Sequence, residues 1–221
     1  MGIRGPKPRR QDPVKWSPNL AYAVGLLATD GCLSGDGRHL ELTSKDREQL
    51  ENFRICVGIK NKITTKISGY TGKSYTRIQF SDVTLYRFLT RIGLTPAKSK
   101  TIGKLIIPRR YFFDFLRGAF DGDGSFYSYM DPRWKSSYMF YTAFTSASME
   151  HIQWLRASMS QYLGIKGHIT NDGRGITHQL KYAKRESLKI LGKMYRKDTS
   201  MFLTRKRLKI DKALHIIGMK L

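Results

Sequence analysis

Two aspartates carry the chemistry that this sequence advertises. Gly25-Leu-Leu-Ala-Thr-Asp30-Gly31 and Gly118-Ala-Phe-Asp-Gly-Asp123-Gly124 share the pattern G-x-x-x-x-D-G, and their aspartates stand 93 residues apart. Each follows an apolar stretch of helical length, so each carboxylate falls on the last turn of a helix. A helix C-terminus already carries partial negative charge, and a carboxylate there is unfavourable unless a cation answers it. Ala21 and Gly25 in one stretch, and Gly118 and Gly122 in the other, form stripes of small residues. Such stripes let two helix backbones pack closely, which would bring Asp30 and Asp123 to the same end. Two carboxylates and two negative helix ends call for a divalent cation. Mg²⁺, or Mn²⁺ in its place, suits oxygen ligands and phosphate, and can activate water for phosphodiester cleavage.

The pair belongs to a longer repeat. Thr43-Ser44 recurs as Thr145-Ser146, and Val57-Gly-Ile-Lys-Asn-Lys-Ile-Thr64 recurs as Leu163-Gly-Ile-Lys-Gly-His-Ile-Thr170. Three matches in one order indicate a duplicated unit of about a hundred residues. The extra length of the second copy lies within residues 125–141, a Tyr-rich stretch that reads as a longer hairpin.

Each copy reads as α-β-β-α-β-β-α. In the first, residues 18–30 form a helix with Ser17 as N-cap and Gly31 as stop. Residues 33–43 form a hairpin turning near Gly35-Asp36-Gly37, and residues 46–57 an amphipathic helix with Leu50, Phe53 and Val57 on one face. Residues 62–81 form a second hairpin turning near residues 69–72, and residues 85–92 a short helix. The second copy repeats the order from Arg109, with a helix at 149–163, a hairpin at 166–184 and helical segments to the C-terminus. The expected organisation is a basic arm at 1–16, a first half at 17–93, a linker at 94–108 with Pro96 and Pro108, and a second half at 109–221.

The 221 residues carry 40 Lys+Arg against 17 Asp+Glu, a net charge of +23. That surplus implies a polyanionic partner. Hydrophobic residues make up 40% of the chain, enough for a packed core. Cys32 and Cys56 form neither a disulfide framework nor a zinc spacing, which points to a reducing compartment. The sequence shows no secretory signal, no myristoylation pattern and no apolar run long enough for a membrane span. An intracellular protein, cytoplasmic, nucleoid-associated or organellar, is expected. The Asp121-Gly-Asp-Gly-Ser run lacks the sixth-position glycine and twelfth-position glutamate of a calcium loop. His151 and His178 read as packing or surface residues.

Strand alternation marks a wet face. Lys62, Thr64, Lys66 and Ser68 oppose Ile63 and Ile67. Tyr75, Arg77, Gln79 and Ser81 oppose Ile78 and Phe80. Thr177, Gln179 and Lys181 oppose Ile176, Leu180 and Tyr182. A sheet face of this composition suits base edges and phosphates, although many half-buried sheets are also polar on one side.

Residues 23–31 and 116–124 resemble the nine-residue LAGLIDADG signature of homing endonucleases. The second copy keeps the first acidic position as Asp121, where the first copy has Ala28. Metal binding therefore transfers onto Asp30 and Asp123, with Asp121 unmatched. The agreement in element order runs from about residue 17 to 210. It implies an α+β monomer with two pseudo-symmetric halves, saddle-shaped antiparallel sheets and two packed central motif helices. It also implies a metal-dependent staggered double-strand break in a long DNA site. The family places a basic residue beside each scissile phosphate. Lys98 or Lys100 fits that place in the first half, and Arg205 or Lys206 in the second. The alternative on the same fold is an RNA-splicing maturase with intron RNA as partner, or a nucleic-acid-binding protein that does not cut. No splicing blocks flank the repeat, so an intein origin is not expected.

Overall fold

The computed structural model describes residues 12–67, 72–133, 137–173 and 175–221. Most of the expected basic arm, most of the turn at 69–72, Ser68 and the tip of the long hairpin lie outside these ranges.

Helix α1 (Pro18–Thr29) begins where the Ser17 hydroxyl accepts the Leu20 amide at 3.1 Å and Pro18 supplies the first turn. It is apolar around its whole circumference and buried from Leu20 to Ala28, as a central core helix must be. Helix α4 (Phe112–Asp123) is its counterpart and packs directly against it. Each motif helix leads into a four-stranded antiparallel sheet. The first holds β1 (Gly31–Leu33), β2 (His39–Ser44), β3 (Ile63–Ile67) and β4 (Ser74–Ser81) in the order β1-β2-β4-β3. The second holds β5 (Ser125–Met130), β6 (Tyr138–Ser146), β7 (His168–Asn171) and β8 (His178–Ala183) in the order β5-β6-β8-β7. The two orders are the same, as a duplication requires. Strand β5 runs six residues where β1 runs three, and β6 runs nine where β2 runs six, so the longer hairpin holds most of the extra length of the second copy.

Helices α2 (Arg47–Val57) and α5 (Met149–Leu163) cross between the strand pairs. Both end on a glycine in the left-handed region, Gly58 at φ 70° and Gly164 at φ 64°. Glycine takes that conformation without a Cβ clash, which explains why the Gly-Ile-Lys run recurs. Helix α3 (Val83–Arg91) is capped by Asp82, whose carboxylate accepts the Leu85 amide at 2.8 Å. The second half carries α6 (Lys184–Met194) and a further helix, α7 (Thr204–Ile216).

Three details depart from the sequence reading. Val14 and Trp16 pack onto the core, with Trp16 stacked near Tyr111 and edge-on to Phe88, so the arm is anchored at its end. Residues 94–108 pack closely: Leu94, Ile102 and Leu105 are buried, and residues 98–100 form a 3-10 turn. Ile67 and Ile176 are exposed, at 71% and 54%, where alternation pointed them inward. Ile67 ends edge strand β3 and Ile176 precedes β8, and alternation orients a side chain without supplying a layer to cover it.

Candidate active site between the motif helices

The helices approach so closely because neither has a side chain at the crossing. A Cβ on Gly25 would sit 2.2 Å from the Phe115 carbonyl oxygen, and one on Gly118 would sit 2.0 Å from that of Tyr22. The small-residue stripes therefore meet backbone to backbone. One turn further on, Gly122 lies against Thr29 and the Asp30 carboxylate. Both motif aspartates thus reach one end of the helix pair.

Burial first, and then the charge of Asp123, raise the Asp30 carboxyl to about 6. Burial also raises Asp123, although it remains open to solvent on one side. Asp30 is oriented by a residue that the repeat and the signature do not reveal. The Gln49 side-chain amide, buried on α2, donates to Asp30 Oδ2 at 2.6 Å, and Ser44 Oγ donates to Gln49 Oε1 at 3.0 Å. One sequence signal points to it. Gln49 is a polar residue beside Leu50 on the face that α2 buries.

Lys98 and Lys206 occupy matching places. Lys98 Nζ donates to the carbonyl oxygen of Gly31, directly after Asp30. Lys206 Nζ donates to the carbonyls of Phe120, Asp121, Gly122 and Gly124, the last directly after Asp123. Both ammonium groups are buried against a negative helix end, where a cation is favoured. Burial lowers both, Lys206 to about 8. Of the sequence alternatives, Arg205 instead pairs with Asp46, at the N-cap of α2, at 2.7 Å. Lys100 is exposed.

Asp121 does not join the pair. It is fully buried, and its Oδ2 accepts from the Tyr22 hydroxyl at 2.7 Å and the Leu203 amide at 2.8 Å. His151 is buried with Nδ1 2.9 Å from the Gly103 carbonyl, and His178 Nδ1 lies 2.8 Å from Asn171 Oδ1.

The donor set fits a hard divalent cation. Among the described residues there is no cluster of three or more His, Cys, Asp or Glu side chains. Two carboxylates remain at one end of the helix pair, both raised by burial, with the charge of Asp123 adding to the shift of Asp30. The neighbouring carbonyls already accept from Lys98 and Lys206, so Asp30 and Asp123 are the available anionic ligands. An open cavity of about 410 Å³ runs from Asp30 and Gly122 past Gln49 to Tyr75 and Arg205, joining the helix ends to the first sheet.

The residues expected to face nucleic acid share that sheet's outer side. Cross-strand pairing sets Thr64 opposite Arg77, Lys66 opposite Tyr75 and Gln79 opposite Glu41, while Leu40, Leu42, Ile78 and Phe80 are buried on the other side. Lys62 is exposed just before β3. In the second half Gln179 and Lys181 are half-buried opposite Thr145 and Ala143, and Thr177 precedes β8. Tyr127, Tyr129 and Tyr141 stack along the same face, with Tyr127 and Tyr141 centroids 5.2 Å apart.

Residues 17–93 match the family model of a LAGLIDADG-like domain. Several solved structures share the fold. Full-length DUF199/WhiA from Thermatoga maritima superposes with a TM-score of 0.58 at 15% identity, over 93% of this chain and 62% of that one. The I-LtrWI LAGLIDADG homing endonuclease bound to target DNA gives 0.57 at 10% identity, over 90% of each chain. I-DmoI in complex with DNA and Mn gives 0.52 at 16%, over 80% of this chain and 96% of that one. No match was found among curated proteins. The chain therefore has the two-repeat, single-chain LAGLIDADG fold. No helix among the described residues is long and apolar enough to cross a membrane.

Proposed function

We propose that this protein is a site-specific homing endonuclease that makes a staggered, divalent-metal-dependent double-strand break in a long DNA target. One observation carries the reading. Two carboxylates converge at the ends of adjoining helices, and each is backed by a buried lysine on the following glycine carbonyl.

Asp30 and Asp123 would hold Mg²⁺ or Mn²⁺ between the scissile phosphates, with Gln49 fixing one oxygen of Asp30. When bound, the ion supplies Lewis acidity to a phosphate and acidifies the attacking water. Lys98 and Lys206 act electrostatically. Each lends positive charge to the ground where phosphates and carboxylates meet, and its contacts to backbone carbonyls hold that charge in place. The basic, amide and hydroxyl residues of the two outer faces, Lys62, Thr64, Lys66, Tyr75, Arg77, Gln79, Thr177, Gln179 and Lys181, would contact the duplex on either side of the cut. The net charge of +23 supports the phosphate component of that binding. The chain acts as a monomer in this reading, because both motif helices come from one polypeptide. The relatives bound to DNA support a duplex as the partner.

The test is a cleavage screen of a randomised duplex library with Mg²⁺, beside a chelated control and the Asp30→Asn/Asp123→Asn double variant. Cuts at one long motif, lost in both controls, are the expected result. Retention of particular duplexes or structured RNAs without any cut would replace this reading by a maturase or a non-cleaving binder.

A further inference from the structure

On the outer face of the first sheet one residue has the wrong charge for binding DNA. Glu41 on β2 is an acid within a surface otherwise suited to phosphates. It is not left to repel them. Arg77 Nη1 donates to Glu41 Oε2 at 2.6 Å, Lys66 Nζ donates to Oε1 at 3.4 Å, and the Thr43 hydroxyl donates to the same oxygen at 3.3 Å. Glu41 and Arg77 are diagonal neighbours across β2 and β4, since Glu41 stands opposite Gln79 and Arg77 opposite Thr43. The contact engages Nη1 and leaves the Nη2 end of the guanidinium. Nε is buried and, among the described residues, has no acceptor. The side chain is thus pinned at one corner and underused as a donor.

The duplication provides the comparison. Shifting by 102 residues turns Thr43, Arg77 and Glu41 into Thr145, Gln179 and Ala143. The registers agree: Arg77 lies between Thr43 and Thr64, and Gln179 between Thr145 and Thr170. Arginine and its acid are present together in one half and replaced together in the other. A phosphate-binding surface gains nothing from an added carboxylate, whereas a base-reading arginine gains a fixed orientation.

Building on the endonuclease reading above, we infer that Glu41 is a specificity-determining positioning residue. It holds Arg77 so that the target carries guanine at the base pair beneath it. Arginine reads guanine through O6 and N7, and the matching glutamine in the second half suits adenine through N6 and N7. The target is therefore not a palindrome at these related positions. The guanidinium loses little freedom on binding, because Glu41 restricts it beforehand.

The experiment is a binding selection from randomised duplexes with Ca²⁺, run on the wild-type chain and on Arg77→Ala, Glu41→Ala and Glu41→Gln. The wild type should enrich one motif in which a guanine is preferred about tenfold or more, as expected for one bidentate contact. Arg77→Ala should reduce that preference below about twofold and so mark the position. Glu41→Ala should flatten the same position and spare the others. Glu41→Gln, whose amide oxygen still accepts from Arg77, should keep most of the preference. The inference is overturned if Arg77→Ala changes no position, if Glu41→Ala keeps the guanine, or if Glu41→Ala flattens every position alike. A wild type that enriches no motif at all defeats the endonuclease reading itself, a result visible before any variant is compared.

Discussion

The Tyr22 hydroxyl donates a 2.7 Å hydrogen bond to Asp121 Oδ2 across the two motif helices. The bond ties α1 to α4 inside the core and takes up an acid of the second motif that has no counterpart in the first. Burial raises Asp121 to about 6, and its Oδ1 has no partner among the described residues. Asp121 is therefore placed as a structural link. Asp121→Asn, which can still accept from Tyr22 and Leu203, should retain metal-dependent cutting, whereas Asp123→Asn should reduce it to background with DNA binding kept. Tyr22→Phe should cost about 1–3 kcal/mol in denaturant titration by leaving the buried carboxyl short of a donor. Loss of cutting in Asp121→Asn equal to that in Asp123→Asn would contradict this division.

Helix approach sets a second expectation. Gly25→Ala and Gly118→Ala would drive a methyl group onto a backbone carbonyl, and each should destabilise by roughly 3 kcal/mol or more. A Cβ on Gly192 of α6 meets nothing within 4 Å, and Gly192→Ala should instead stabilise by about 0.5–1 kcal/mol. Thermal melts of the three variants would show opposite signs, and a neutral Gly118→Ala would refute the close contact.

Gln49 offers a kinetic test. Its bond to Asp30 fixes a carboxylate oxygen without touching the reacting atoms. Gln49→Ala should slow cleavage and leave duplex affinity unchanged, as read by single-turnover cleavage beside a binding titration. An unchanged rate would remove Gln49 from the site.

His151 makes stability depend on pH. Burial holds its pKa below the usual value, and Nδ1–H donates to the Gly103 carbonyl. The unfolded chain takes up the proton near pH 6.5, while the folded chain resists it to lower pH. Stability is thus fully present above about pH 6.5 and falls as pH drops below that value. Denaturant titrations from pH 5 to pH 8 should show this slope flattened in His151→Asn. An equal slope in both proteins would assign the acid sensitivity elsewhere.

The cysteines should differ in reactivity. Cys32 is exposed on β1, and burial pushes the Cys56 thiol up to about 12. Iodoacetamide at neutral pH should alkylate Cys32 in the folded protein and leave Cys56 until unfolding. Mass spectrometry of the digested protein reads both sites, and equal labelling would show that α2 opens.

Local chemistry made much of this protein legible in its sequence. The Gly-Ile-Lys stops end α2 and α5 through glycine conformation, and the apolar runs that carry the repeated G-x-x-x-x-D-G mark the motif helices; both signals act over a few residues. The duplication then gave the element order, the two halves and the pair Asp30 and Asp123. Strand alternation sorted Arg77 and Gln79 from Ile78 and Phe80, but it could not tell that edge positions such as Ile67 would lie uncovered. Only the tertiary structure separated Lys206 from Arg205 and Lys98 from Lys100. Which ammonium lands on a helix end depends on how a distant segment folds back, not on the residues beside it. The same holds for Gln49, Tyr22 and Glu41. Each acquires its role from a partner on another element, across 19, 99 and 36 residues of chain. Hydrogen bonds and ion pairs of that kind form only after packing has set distances to a few tenths of an ångström, and neither periodicity nor composition records them.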